Sequence, residues 1–306
     1  MAEEKSERRR RLLELLGELP QAAGPVHADV METVEYDGFV LERLTLRLNE
    51  EEAAPAYYAR PAGSTGKHPV IVFNHSHGGI HEIGKDELLL DTGKGYLQSP
   101  SYAAFLTSLG YSVLCFDAWG FGERSTRSES EIFKEMLWNG KVMWGMMVYD
   151  SIRAIDYLYT RDDVDTERIG TIGISMGGTM AWWLAALDER VGFCVDMCSL
   201  ADYDALIATR SLDIHGIYYY VPSLLKHFTA GRINALVSPR PHLGFAGLRD
   251  PVVPAQGLDR IDSETRQAYL ADGAADRWKL ARSDSAHEET PEMRREIERF
   301  LLEQAK

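Results

Sequence analysis

The spacing of apolar residues changes character near residue 70, and that change predicts the architecture. Residues 5–19 (KSERRRRLLELLGEL) carry Leu12, Leu13, Leu15, Leu16 and Leu19 on one stripe and are closed by Pro20, the pattern of an amphipathic helix. This divides the chain into an N-terminal helical extension, 1–30, and a main domain, 31–306. The stripe can dock on the core or support a homodimer. Thr33–Tyr36, Val40–Leu48 and Ala56–Arg60 read as short strands. In the second, Leu44, Leu46 and Leu48 alternate with polar neighbours, as a half-buried strand requires. Together they predict an antiparallel edge.

Beyond residue 70 the alternation gives way to continuous apolar runs: Val70–Phe73, Val113–Phe116, Ile169–Ile174, Val191–Cys198, Leu243–Leu248 and Trp278–Ala281. Unbroken runs of this length suit strands buried on both faces. Helical stretches separate them: Tyr102–Leu109, Ile132–Tyr159, Gly177–Leu187, Pro254–Ala271 and Pro291–Gln304. Strand alternating with helix predicts an α/β domain whose mostly parallel sheet is covered on both sides. Residues 199–240 break the rhythm. They exceed what a crossover needs and suggest a lid or pocket wall, with a short helix at Ser223–Phe228. Cys194 and Cys198, evenly spaced in one run, are expected on one face.

Composition narrows the function. The formal net charge of −14 disfavours nucleic acid and anionic membranes as partners, since polyanions would be repelled. No apolar stretch after Met1–Lys5 resembles a secretory signal, and no run is long enough to span a membrane. Three cysteines, an odd and small count, predict free thiols in a reducing compartment, so a cytoplasmic protein is expected.

The chemistry is carried by Gly173-Ile174-Ser175-Met176-Gly177, a G-x-S-x-G sequence that leaves a buried strand and opens a helix. A sharp turn at that junction would push Ser175 Oγ out above the sheet, and glycines supply the space it needs. A serine hydroxyl is a weak nucleophile without a base. In this topology an acid and then a histidine follow the serine. Asp250 lies just past the run ending at Leu248. Of nine histidines, His287 alone follows Asp250. Asp196, Asp202 and Asp204 are rivals for the acid. Two backbone N–H groups are needed for an oxyanion. Met176 supplies one; the loop Asn74-His75-Ser76-His77-Gly78-Gly79 supplies the other, with His77 first and Ser76 second.

Other signals carry less. His75, His77 and His81 cluster, but no Cys or carboxylate has ligand-like spacing, so no metal is expected. Ser223-Leu224-Leu225-Lys226 has the S-x-x-K spacing without its companion motifs. Gly120-Phe121-Gly122 lacks the context of a dinucleotide loop, so no cofactor is expected. Trp138, Met143, Trp144, Met146 and Met147 on one helix, and Tyr218–Tyr220 in the excursion, are candidates for an apolar pocket, with core packing the better reading for the helix.

With these motifs the chain resembles the α/β-hydrolase superfamily, in particular the dienelactone-hydrolase-like, acetyl-xylan-esterase-like and prolyl-oligopeptidase-like serine hydrolases. The resemblance runs from about residue 70 to the C-terminus. It rests on Asn74–Gly79, Phe116–Glu123, Gly173–Gly178, Gly247–Pro251 and His287. It implies an α/β-hydrolase fold with an eight-stranded sheet, an excursion after the sixth strand, and a Ser175–His287–Asp250 triad. Asp117–Gly122 would be structural support beside the site. Dienelactone hydrolases proper use a cysteine where this chain has Ser175, which points to ester chemistry. The expected activity is hydrolysis of carboxylic esters of small to medium acyl groups through an acyl-enzyme. An aminopeptidase or amidase with the same triad is the alternative, and a binding protein on this scaffold a lesser one.

Overall fold

The computed structural model describes residues 2–21, 24–91 and 95–305. Its elements run α1 (Ala2–Glu14), β1 (Ala28–Tyr36), β2 (Phe39–Leu46), β3 (Ala54–Pro61), β4 (His68–Asn74), α2 (Tyr102–Ser108), β5 (Ser112–Phe116), α3 (Glu129–Trp138), α4 (Met143–Leu158), β6 (Val164–Ile174), α5 (Met176–Leu187), β7 (Phe193–Met197), α6 (Tyr203–Ala208), α7 (Ala230–Asn234), β8 (His242–Gly247), α8 (Leu258–Ala271), β9 (Trp278–Ser283) and α9 (Pro291–Gln304).

The strands form one sheet in the order β1-β2-β3-β5-β4-β6-β7-β8-β9. Pairings from β5–β4 through β8–β9 are parallel, while β1–β2, β2–β3 and β3–β5 are antiparallel. The sheet has nine strands rather than eight. The first, β1, contains the predicted Thr33–Tyr36 and folds back on β2 through a tight turn pairing Tyr36 with Phe39, so the excursion at 199–240 follows the seventh strand rather than the sixth. Strand β1 is largely exposed.

The continuous runs have a simple cause. Along β4, Val70 and Val72 enter one core, while Ile71 and Phe73 enter the other. A period of two with both faces covered leaves no position for a polar residue.

Several elements differ from expectation. Helix α1 begins earlier and ends at Glu14. Leu12 and Leu16 are fully buried against the same chain, and Arg9 donates to the carbonyls of Ala186 and Leu236, each at 2.9 Å. The stretch Ile132–Tyr159 is two helices. Gly140 takes φ 73° after α3, and Lys141 forms a bridge to Gly17. Trp138, at the end of α3, is 93% exposed, whereas Met143, Trp144, Met146 and Met147 are buried in the core. Ser223–Phe228 holds only a 3₁₀ turn, Leu224–Lys226. Cys194 and Cys198 lie in opposite cores, because Cys198 sits past the end of β7 with φ 52° and turns to the other face. Among the described residues no helix is long and apolar enough to cross a membrane.

Candidate active site

Ser175 occupies the single residue between β6 and α5, with φ 57° and ψ −123°. That conformation is costly for a residue with a side chain, by about 1–3 kcal/mol, and must be held by its surroundings. Ser175 N donates to Met197 O and Ser175 O accepts from Thr179 N, both at 2.9 Å. The flanking glycines are required by contact. A Cβ on Gly177 would lie 1.9 Å from Asn74 O, and one on Gly173 would lie 2.3 Å from the carbonyl carbon of Gly177.

Asp250 follows β8 and His287 follows β9, at the carboxyl ends of adjacent parallel strands. His287 Nδ1–H donates to Asp250 Oδ2 at 2.7 Å. The other carboxylate oxygen accepts from Val252 N at 2.8 Å and Val253 N at 3.1 Å. The Asp250 side chain is wholly buried and the His287 ring is 22% exposed. With Nδ1 committed, Nε2 is the ring nitrogen left to receive a proton. Ser175 lines a small cavity with Cys198, His215, Tyr218, Tyr219 and the same Val252 and Val253. No hydrogen bond joins Ser175 Oγ to His287 among the described residues; such bonds often tighten only when substrate is present.

The rival carboxylates have other partners. Asp196 accepts from His242 Nε2 at 2.7 Å and Ser199 Oγ at 2.6 Å. Asp202 caps α6 through Ala205 N and pairs with Arg260, which also holds Asp204.

The loop after β4 lies against the elbow. Its Ser76 N donates to Glu87 Oε1 at 3.0 Å, which removes it as an oxyanion donor. Neither the His77 nor the Met176 N–H donates within the chain, among the described residues. His75 is a strut: its Nε2 accepts from Ala118 N at 3.0 Å, so Nδ1–H donates to Ser76 O at 2.9 Å. Asp117 serves the support role expected of it. Its carboxylate accepts from Lys85 N at 2.7 Å, from Lys85 Nζ at 3.0 Å and from Glu123 N at 3.0 Å. A Cβ on Gly84 or Gly122 would fall 2.2 or 2.1 Å from it.

Sequence reasoning missed Glu87 and His215. Glu87 is 1% exposed and takes bonds from Ser76 N, Ser76 Oγ and Tyr96 OH. Burial pushes its carboxyl pKa up. No local signal marks it, since an acid in a short turn reads as surface. Glu87→Ala would leave the Ser76 amide without a partner, at about 1–3 kcal/mol when buried, and the Tyr96 hydroxyl with Ser76 Oγ alone. We expect kcat to fall by at least roughly tenfold with little change in KM, as an oxyanion loop that shifts requires. Steady-state kinetics on any hydrolysed ester checks this; an unchanged kcat would remove Glu87 from the site. His215 Nε2–H donates to Val252 O at 3.1 Å, and its ring stacks on Tyr219 with centroids 5.1 Å apart. Burial lowers its pKa, which keeps it a neutral wall residue.

A sheet of this order, with a strained serine on the turn from β6 to α5 and a His–Asp pair on the following strand ends, defines an α/β-hydrolase. The chain belongs to the dienelactone hydrolase family, whose model matches residues 54–271. It is 52% identical over 297 residues, 97% of this chain and 98% of the relative, to YtaP of Bacillus subtilis (strain 168), provisionally named a hydrolase. Among solved structures it is similar to a glucuronoyl esterase from Solibacter usitatus, with TM-score 0.72 and 17% identity, covering 98% of this chain and 93% of that one. It is also similar to an acetyl xylan esterase from Paenibacillus sp. R4, with TM-score 0.63 and 19% identity, covering 99% and 93%. The chain is thus a hydrolase by family and an α/β-hydrolase by fold.

Proposed function

We propose that this protein hydrolyses carboxylic esters of short acyl groups, with Ser175 as nucleophile, His287 as base and Asp250 as the group that orients it. The carrying observation is the 2.7 Å bond from His287 Nδ1–H to a fully buried Asp250, beside a serine held at φ 57°. Ser175 Oγ attacks the acyl carbonyl while its proton passes to His287 Nε2. The backbone N–H groups of Met176 and His77 stabilise the oxyanion. Collapse of that intermediate breaks the bond to the alcohol, which leaves with the proton from His287. Water, deprotonated by the same nitrogen, then releases the acid and restores Ser175.

Short acyl groups are favoured because the cavity at Ser175 is small, with room for about one water. Fold relatives named for acetyl xylan and glucuronoyl esterases support an ester over an amide. Three buried, unpaired cysteines support a reducing, cytoplasmic setting.

Comparing p-nitrophenyl acetate, butyrate and octanoate with an aminoacyl p-nitroanilide tests this reading. Acetate is expected to give the highest kcat/KM and octanoate at least roughly a hundredfold less, as an acyl chain without a pocket predicts. Faster cleavage of the anilide than of every ester would overturn it.

A further inference from the structure

Near the histidine loop in sequence, no Cys or carboxylate has ligand-like spacing to His75, His77 and His81. Folding brings in a carboxylate from elsewhere: Glu129, the first residue of α3. Its Oε2 lies 3.2 Å from His77 Nε2 and 3.9 Å from His81 Nε2, and one ligand atom from each residue falls within 4.8 Å of the others. We propose that His77, His81 and Glu129 form a binding site for one divalent transition-metal ion of the zinc type, whose occupation inhibits the enzyme.

The donor set and its spacing fit. Two imidazoles and one carboxylate are a zinc set that leaves a fourth position for water. Bonds of about 2.0–2.2 Å in tetrahedral geometry put neighbouring ligand atoms roughly 3.3–3.6 Å apart. The Glu129–His77 separation is close to that range, and the two that involve His81 close with rotations of its ring, which is 35% exposed. The outer partners also fit. His81 Nδ1–H donates to Gly120 O at 3.3 Å, which leaves the Nε2 lone pair directed outward from the protonated nitrogen. Glu129 Oε1 accepts from Tyr218 N at 2.9 Å, which fixes the carboxylate while Oε2 remains for an ion.

The present His77 ring holds a proton where the ion would sit: Nε2–H donates to Glu129, and Nδ1 accepts from Gly79 N at 3.2 Å. Binding at Nε2 moves that hydrogen to Nδ1, a change of tautomer that leaves the ring neutral. The Gly79 amide must then turn away, which an exposed glycine with no neighbour within 4 Å of its Cβ position can do.

Inhibition follows from place. The His77 ring stacks on Tyr218, with centroids 5.8 Å apart, and Tyr218 lines the cavity at Ser175. An ion that pulls the His77 side chain also shifts the His77 amide, the second oxyanion donor in the proposed mechanism. The inhibitory part rests on the ester-hydrolase reading; the binding part does not.

Calorimetric titration of the chelator-treated full chain with zinc chloride tests the binding part without substrate. One ion per chain is expected, weakened at least tenfold in both His81→Ala and Glu129→Gln. Cobalt(II) should give the visible absorption of a four- or five-coordinate ion in wild type and lose it in both variants. Cys198, Asp250 and His287 also place ligand atoms within 4.8 Å of one another, and His81 lies outside that group. Binding that survives His81→Ala, or no saturable binding, overturns the site. Ester hydrolysis is expected to fall at least tenfold at saturating zinc and return with chelator. A bound ion with an unchanged rate overturns the inhibition alone, and an inactive metal-free enzyme counts against the ester reading instead.

Discussion

Ser175→Ala is expected to lower kcat by on the order of 10⁴–10⁶, the loss seen when a triad nucleophile is removed. The reason is covalent: without Oγ there is no acyl-enzyme, and His287 has no proton to take. Stability should hardly move. Ser175 Oγ makes no hydrogen bond within the described residues, and alanine keeps the same backbone geometry, so the change should stay within about 0.5 kcal/mol. The pairing of a large kinetic loss with an unchanged melting curve separates a chemical role from a structural one. A fluorophosphonate should label one serine in the wild type and none in the variant. A variant that hydrolyses p-nitrophenyl acetate within tenfold of the wild-type rate would refute the assignment of Ser175.

Much of this site was readable in the chain because its logic is local or ordinal. The elbow is contiguous, and its glycines are demanded by contacts with Asn74 and Gly177 that any serine on such a turn would meet. Asp250 and His287 could be ordered by position because parallel strands deliver their following loops to one end of the sheet. Asp250 ranked above Asp196 by its place after the fifth run, and the coordinates add that Asp196 is committed to His242. The strands were legible for a related reason: burial on both faces leaves apolar runs that few other elements produce. Where reading failed, a distant contact decided the outcome. The long helix is broken where Lys141 bridges to Gly17, and Cys198 changes face because the chain turns after Met197. Glu87 and Glu129 were invisible for the same reason. Each acid meets its partners only after segments remote in sequence pack together, so no spacing rule could connect Ser76 with a buried carboxylate or His81 with α3.

Asp250→Asn should cost nearly as much as a missing nucleophile while preserving shape. Val252 N and Val253 N both point at one oxygen of residue 250. An asparagine there must present its carbonyl to those donors. The reverse orientation would oppose N–H to N–H and strand two buried amides at about 1–3 kcal/mol each. The NH₂ group then faces His287 Nδ1, where Asp250 Oδ2 now accepts at 2.7 Å. A donor in that place makes Nδ1 the acceptor and moves the ring proton to Nε2, the nitrogen that must be bare to take the proton of Ser175. A histidine in the wrong tautomer cannot act as base, and the expected loss in kcat is on the order of 10⁴. Nitrogen-15 chemical shifts of the His287 ring would read the cause directly, with the proton on Nδ1 in the wild type and on Nε2 in the variant. If Asp250→Asn keeps the proton on Nδ1, or keeps its rate within tenfold, then the buried carboxylate is not what sets the histidine to work.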